Sequence, residues 1–175
     1  SWGYIVAALD EQNGFSISHP ELGQQMLGTI AMIDAQNTAS GSRFNGLWNG
    51  KSATMGHSMS GGSALIAAVD GGALVDAVIG LAPAETDPSV IDDMQDITAD
   101  MLIISGRGDS VTPESSVQIP MYNAATTGKL WVSLLEGGHC NFADGNSTTC
   151  EFGATTVGDA GTLSYADQQA LAFTY

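Results

Sequence analysis

Ser58, Asp109 and His139 are the residues of this chain whose types could together perform nucleophilic chemistry. A serine hydroxyl attacks poorly until a neighbouring imidazole takes its proton. The imidazole in turn needs a carboxylate to fix its tautomer and steady its charged form. Each residue lies in a glycine-containing stretch that lets backbone approach closely: Gly56-His57-Ser58-Met59-Ser60-Gly61-Gly62, Gly106-Arg107-Gly108-Asp109 and Glu136-Gly137-Gly138-His139. Each also has rivals. His57 is a second imidazole, but it adjoins Ser58 and is expected to point away from it. His19 lies in an early loop with no evident partner, and Asp87 and Asp144 are alternatives to Asp109. Taken singly, each could be an ordinary loop residue; in this combination and order they are much harder to reach by accident.

Such groups need elements that bring them together. Lys51–Met55 is short, moderately apolar and preceded by turn residues, which predicts a strand, and Ser63–Val69 predicts a buried helix. Ser58 therefore stands at a sharp strand-to-helix turn, a strained position that requires small residues two before and two after it. Gly56 and Ser60 occupy those places; glycine is usual where Ser60 stands, and Gly61 and Gly62 can relax the turn. The helix start aims backbone N–H groups, that of Met59 foremost, at whatever is attached to Ser58 Oγ.

Elsewhere, the continuous apolar run Tyr4–Leu9 predicts a buried parallel strand, followed by a loop from Asp10 to Pro20. Leu22, Met26, Ile30 and Ile33 recur at helical spacing within Glu21–Gln36, and Pro20 suits the helix start. Asn37–Gly50 reads as loop. Val75–Leu81, Met101–Gly106 and Leu130–Leu135 predict strands, Glu114–Thr126 a short helix, and Ser164–Phe173 a terminal helix with a serine cap and Leu171 and Phe173 on its apolar face. Alternating strands and helices imply an α/β fold, a three-layer α/β/α sandwich with a mainly parallel sheet. Ser58, Asp109 and His139 each follow a different strand, at the carboxyl ends where functional groups gather in such sheets. The order nucleophile, acid, base is that of a triad built on an α/β-hydrolase sheet.

The chain has 175 residues, 43% of them hydrophobic, without linker, repeat or low-complexity tract, so residues 1–175 are expected to form a single domain. A formal net charge of −15 repels phosphate backbones, which argues against nucleic acid and anionic membranes as partners. No apolar run is long enough for membrane insertion as a spanning segment. Asp92, Asp93 and Asp96 bunch together without calcium-loop spacing and read as a solvated face rather than a cation site. No metal or cofactor is called for. Cys140 and Cys150 make a weak metal signal; a disulfide fits better than two free thiols in so polar a segment, and implies an oxidising compartment. Asn146-Ser147-Thr148 matches a glycosylation sequon, a triplet that often arises by chance. The chain opens at Ser1, which suggests a processed or truncated start.

Gly56-His57-Ser58-Met59, Gly106-Arg107-Gly108-Asp109-Ser110-Val111-Thr112-Pro113 and Gly138-His139-Cys140-Asn141-Phe142 together resemble α/β-hydrolases of the dienelactone hydrolase and bacterial cutinase-like (polyester hydrolase) group. Trp2-Gly3-Tyr4-Ile5-Val6-Ala7 resembles the fourth strand of that fold, so the likeness covers nearly the whole chain. It implies Ser58 as nucleophile, Asp109 as acid, His139 as base and the Met59 N–H as an oxyanion donor. The implied activity is cofactor-free hydrolysis of small or polymeric carboxylic esters through an acyl-enzyme, by a secreted or periplasmic protein. Ala84 stands where polyester-degrading relatives tend to carry tryptophan; His57, Trp48 and Phe142 are then the candidate substrate-binding residues, with Tyr122 a further aromatic. Acyl transfer by the same triad, or a weakly active or inactive binding relative, are the alternatives.

By the same resemblance the strands before the fourth, and the loop bearing the second oxyanion donor, are lacking. Either the chain is a fragment, or Tyr4–Leu9 moves beside Lys51–Met55 by a right-handed crossover, with Asp10–Gly14 supplying that donor.

Overall fold

The computed structural model describes residues 3–10, 18–142, 150, 154, 156–172 and 174. Its centre is a parallel four-stranded sheet of β1 (Ala53–His57), β2 (Ala77–Leu81), β3 (Asp100–Gly106) and β4 (Lys129–Leu134), ordered β1-β2-β3-β4. Helices α1 (His19–Thr38), α2 (Met59–Gly71), α3 (Gln118–Ala124) and α4 (Tyr165–Ala172) flank it.

Alternation along β3 divides the core. Met101 and Ile103 join Val78 of β2, Leu65 and Ala68 of α2, and Met121 of α3 on one face. Leu102 and Ile104 join Leu134, Phe142 and, from α4, Ala172 on the other. Leu65, Ile103 and Ile104 are almost wholly buried, each a contribution of about 1.5–3 kcal/mol by transfer. Helix α2 is apolar nearly all round because it is enclosed between the sheet and α1. Gly23 makes that contact close: a Cβ there would lie 3.1 Å from the Ser63 carbonyl oxygen.

Helix α1 begins at His19, capped by the Ser18 hydroxyl accepting from the Glu21 N–H at 3.3 Å. His19 is thus in the first helical turn, not a loop, and its Nδ1 lies 3.4 Å from the Asp87 N–H. The 3₁₀ turn Ile91–Asp96 leaves Asp92, Asp93 and Asp96 in solvent and anchors itself through buried Met94.

The expected strand at Tyr4–Leu9 does not form. Residues 4–9 join no ladder, and Tyr4 and Val6 are 81% and 86% exposed. An apolar run becomes a strand only where a neighbour satisfies its backbone groups, and among the described residues no strand lies beyond β1. The crossover that would place this run beside the Ser58 strand is therefore overturned. Of the loop meant to carry the second donor, Asp10 is exposed and residues 11–14 lie outside the described residues. At the other end, the buried side chain of α4 is Gln168, while Leu171 is 40% exposed; Phe173 lies outside the described residues. The Ser164 cap is present, its hydroxyl accepting from the Asp167 N–H.

Candidate active site

Ser58 joins the end of β1 to the start of α2 with φ 55° and ψ −121°, a left-handed conformation that non-glycine residues rarely adopt. Its N–H donates to the Leu81 carbonyl at 3.0 Å, and its carbonyl accepts from the Gly62 and Ala84 N–H groups at 3.1 and 2.9 Å. The turn is this tight because three glycines permit it. A Cβ at Gly56 would stand 2.2 Å from the Ser60 carbonyl oxygen, one at Gly61 2.9 Å from Pro83 Cα, and one at Gly62 2.5 Å from the Ala84 oxygen. Position 60 meets the crossing through its backbone, which explains how serine replaces glycine there. Helix α2 starts at Met59, so the Met59 N–H has no intrahelical acceptor.

Asp109 follows β3 and His139 follows β4. Ser58 Oγ lies 2.9 Å from His139 Nε2, and His139 Nδ1 lies 2.7 Å from Asp109 Oδ2. Three groups from separate loops thus form one hydrogen-bonded line. Asp109 Oδ1 also accepts from the Val111 and Thr112 N–H groups, both at 2.8 Å, and Oδ2 from the Thr112 hydroxyl at 2.8 Å. Burial alone would raise the Asp109 pKa, but the His139 bond and charge and the Thr112 donors outweigh it and hold the carboxyl below its ordinary value. A carboxylate in that state accepts the Nδ1–H, which keeps the proton on Nδ1, leaves Nε2 free to accept one, and orients the ring.

His57 turns away from Ser58. Its Nε2 lies 2.8 Å from the His139 carbonyl oxygen, and its ring sits 4.7 Å from that of His139 and 6.0 Å from that of Phe142. Burial first, then the neighbouring His139, lowers its pKa to about 4, so near neutrality it is an uncharged donor to that carbonyl.

The other residues singled out from sequence are distributed differently. Phe142 is buried in the core beside His57. Trp48 is not brought to this end of the sheet: Asn37 and Lys51 hold it in the segment that precedes β1, whereas Ser58 follows β1. Tyr122 packs on Trp131 and under the Lys129 ammonium. Asp87 is exposed, and Asp144 and the Asn146 sequon lie outside the described residues. Cys140 and Cys150 form a disulfide immediately after His139. Two contributors had no sequence signal: Asp159, whose Oδ2 accepts from the His139 N–H at 3.0 Å, and Gln168, which bonds Gly138; Thr112 stands in the Gly106–Pro113 stretch but had no role assigned to it there. Among the described residues no helix is long and apolar enough to cross a membrane, and no group of three or more potential ligands could hold a metal.

The family described as PETase, PET hydrolase-like, matches residues 1–158. A bis(hydroxyethyl) terephthalate hydrolase of Streptomyces coelicolor is 26% identical over 155 residues, a match covering 87% of this chain and 46% of the relative. The chain thus spans about half the length of the curated relative it matches.

Proposed function

The chain belongs to the PET hydrolase-like family, and from that premise we propose that it hydrolyses carboxylic esters, including the ester bonds of polyesters, through a Ser58-His139-Asp109 triad. The observation that carries this reading is the unbroken line from Ser58 Oγ through His139 to Asp109, with links of 2.9 and 2.7 Å, at a strained turn. His139 Nε2 takes the Ser58 proton as Oγ attacks the ester carbonyl, and Asp109 steadies the imidazolium. The Met59 N–H stabilises the oxyanion. Collapse expels the alcohol, which carries away the proton from His139. Water, deprotonated by the same ring, then releases the acid. No step calls for a cofactor. Of the candidate substrate-binding residues, His57 packs beside the His139 ring and Phe142 beside His57. The named substrate of the Streptomyces coelicolor relative, a terephthalate diester, suggests diesters of aromatic dicarboxylic acids as a substrate class. The Cys140–Cys150 disulfide supports an oxidising, extracytoplasmic location.

A second reading, a binding relative without turnover, draws on the open outer edge of β1, where no described strand stands to carry a second oxyanion donor. One missing donor costs roughly 10²–10³ in rate. Fluorophosphonate labelling separates the two. Stoichiometric modification at Ser58, abolished in Ser58→Ala, together with turnover of nitrophenyl esters and release of acid from a polyester film, is expected. An unlabelled, folded protein would leave the binding reading.

A further inference from the structure

Gly138 and His139 belong to no helix or strand, yet every one of their main-chain polar groups is bonded, and each by a side chain. The Gly138 N–H donates to Gln168 Oε1 at 2.9 Å, and Gln168 Nε2 donates to the Gly138 carbonyl at 2.8 Å. The His139 N–H donates to Asp159, and the His139 carbonyl accepts from His57. Gln168 is 0% exposed, and burying a primary amide is costly unless it is paired. Its pairing is to a single peptide segment, the one that carries the base. The surroundings leave that segment little room: a Cβ at Gly138 would stand 3.0 Å from Asp159 Oδ2, and one at Gly161 2.3 Å from Gly138 Cα.

We propose that Gln168 is a positioning residue for His139, acting through the Gly138 backbone, and that holding the base is what α4 contributes to the reaction. The inference rests on the hydrolase reading above. The His139 ring must meet Ser58 and Asp109 at once, so a small rotation of the Gly138–His139 segment lengthens one of the two bonds. The hydrogen bonds of Gln168 go to Gly138, whereas those of Ser58 Oγ and the Asp109 carboxylate go to His139, Val111 and Thr112.

Gln168→Leu keeps the size of the side chain and removes the amide. Its kcat on nitrophenyl acetate is expected to fall about 10- to 100-fold, with KM changed less than about twofold and fluorophosphonate labelling slowed in parallel, as expected for a misplaced catalytic group. The downfield proton resonance of the His139 Nδ1–H bonded to Asp109 should broaden or move. Wild-type kcat and an unmoved resonance in folded Gln168→Leu would overturn the proposal, as would a loss confined to melting temperature. Should this variant not fold, hydrogen exchange at Gly138 in the unaltered protein decides: a strongly slowed amide supports the clamp, and exchange at the rate of a free amide overturns it. Absence of both turnover and labelling in the unaltered protein would instead defeat the hydrolase reading, with the Nδ1 resonance and its response to Gln168→Leu still reporting on the clamp.

Discussion

The Ser58 turn and the His139 loop sit at the same end of the sheet and share a hydrogen bond, but they are held by different means. At Ser58 the restraints are main chain on main chain: its N–H to Leu81, its carbonyl to Gly62 and Ala84, and three glycines that let the strands of backbone close on one another. At His139 the restraints are side chains, Gln168, Asp159 and His57, with a disulfide just beyond. Backbone restraints need only small residues in a short stretch. Side-chain restraints need particular residues from elements distant in the chain, and each can be removed singly without opening the turn.

The largest effect falls on the line joining the two regions. Asp109→Asn keeps the shape but leaves the His139 tautomer unfixed, and is expected to lower kcat by about 10⁴-fold while the protein remains folded. A loss under tenfold in nitrophenyl ester assays would remove Asp109 from the triad. Next comes the turn itself. The added Cβ of Gly56→Ala would meet the Ser60 carbonyl at 2.2 Å, and neither backbone can yield cheaply. A destabilisation of about 3 kcal/mol or more is expected by urea unfolding, in the range reserved for core overpacking and backbone strain. A variant as stable as its parent would mean that the turn is looser than these contacts imply.

The smallest effect concerns the side-chain region and is read through pH. His57 has its pKa lowered to about 4 in the fold, against about 6.5 for a free imidazole. The unfolded chain therefore takes up a proton that the folded one refuses. The His57 contribution is fully present above about pH 6.5 and is lost as pH falls toward about 4, with a slope of at most about 1.4 kcal/mol per unit. His57→Gln preserves an N–H for the His139 carbonyl but cannot titrate. Its stability, measured by urea unfolding at about pH 7.5 and about pH 5, should fall less with acid than that of the parent. Identical slopes would show that His57 is not the group responsible.

The two regions also differ in how openly they are written in the chain. Gly56, Ser58 and the flanking glycines are contiguous, so the turn is visible as a pattern. Strands β2, β3 and β4 are visible too, because each is a short apolar run that finds a ladder neighbour and gives at least one side chain to the core. Tyr4–Leu9 has the same composition and is no strand, since composition cannot supply a partner for the ladder. Gln168 looks like any polar residue of a terminal helix, and the apolar pattern there points to Leu171, which is half exposed. Trp48 offers an aromatic ring, but the sequence does not say at which end of the sheet the ring will lie.

By itself, then, the amino-acid sequence determined an α/β chain with a strained serine turn, and an aspartate and a histidine in the order a triad requires. These are matters of local residue type, strand-forming runs and glycine placement. The tertiary structure alone decided that Ser58, His139 and Asp109 lie within hydrogen-bonding distance, that His57 bonds the His139 carbonyl, and that Gln168 and Asp159 bond the Gly138 and His139 N–H groups. Those depend on which distant side chains are buried against which loop. That is settled by packing, where a polar group is tolerated only when its partner is already in place.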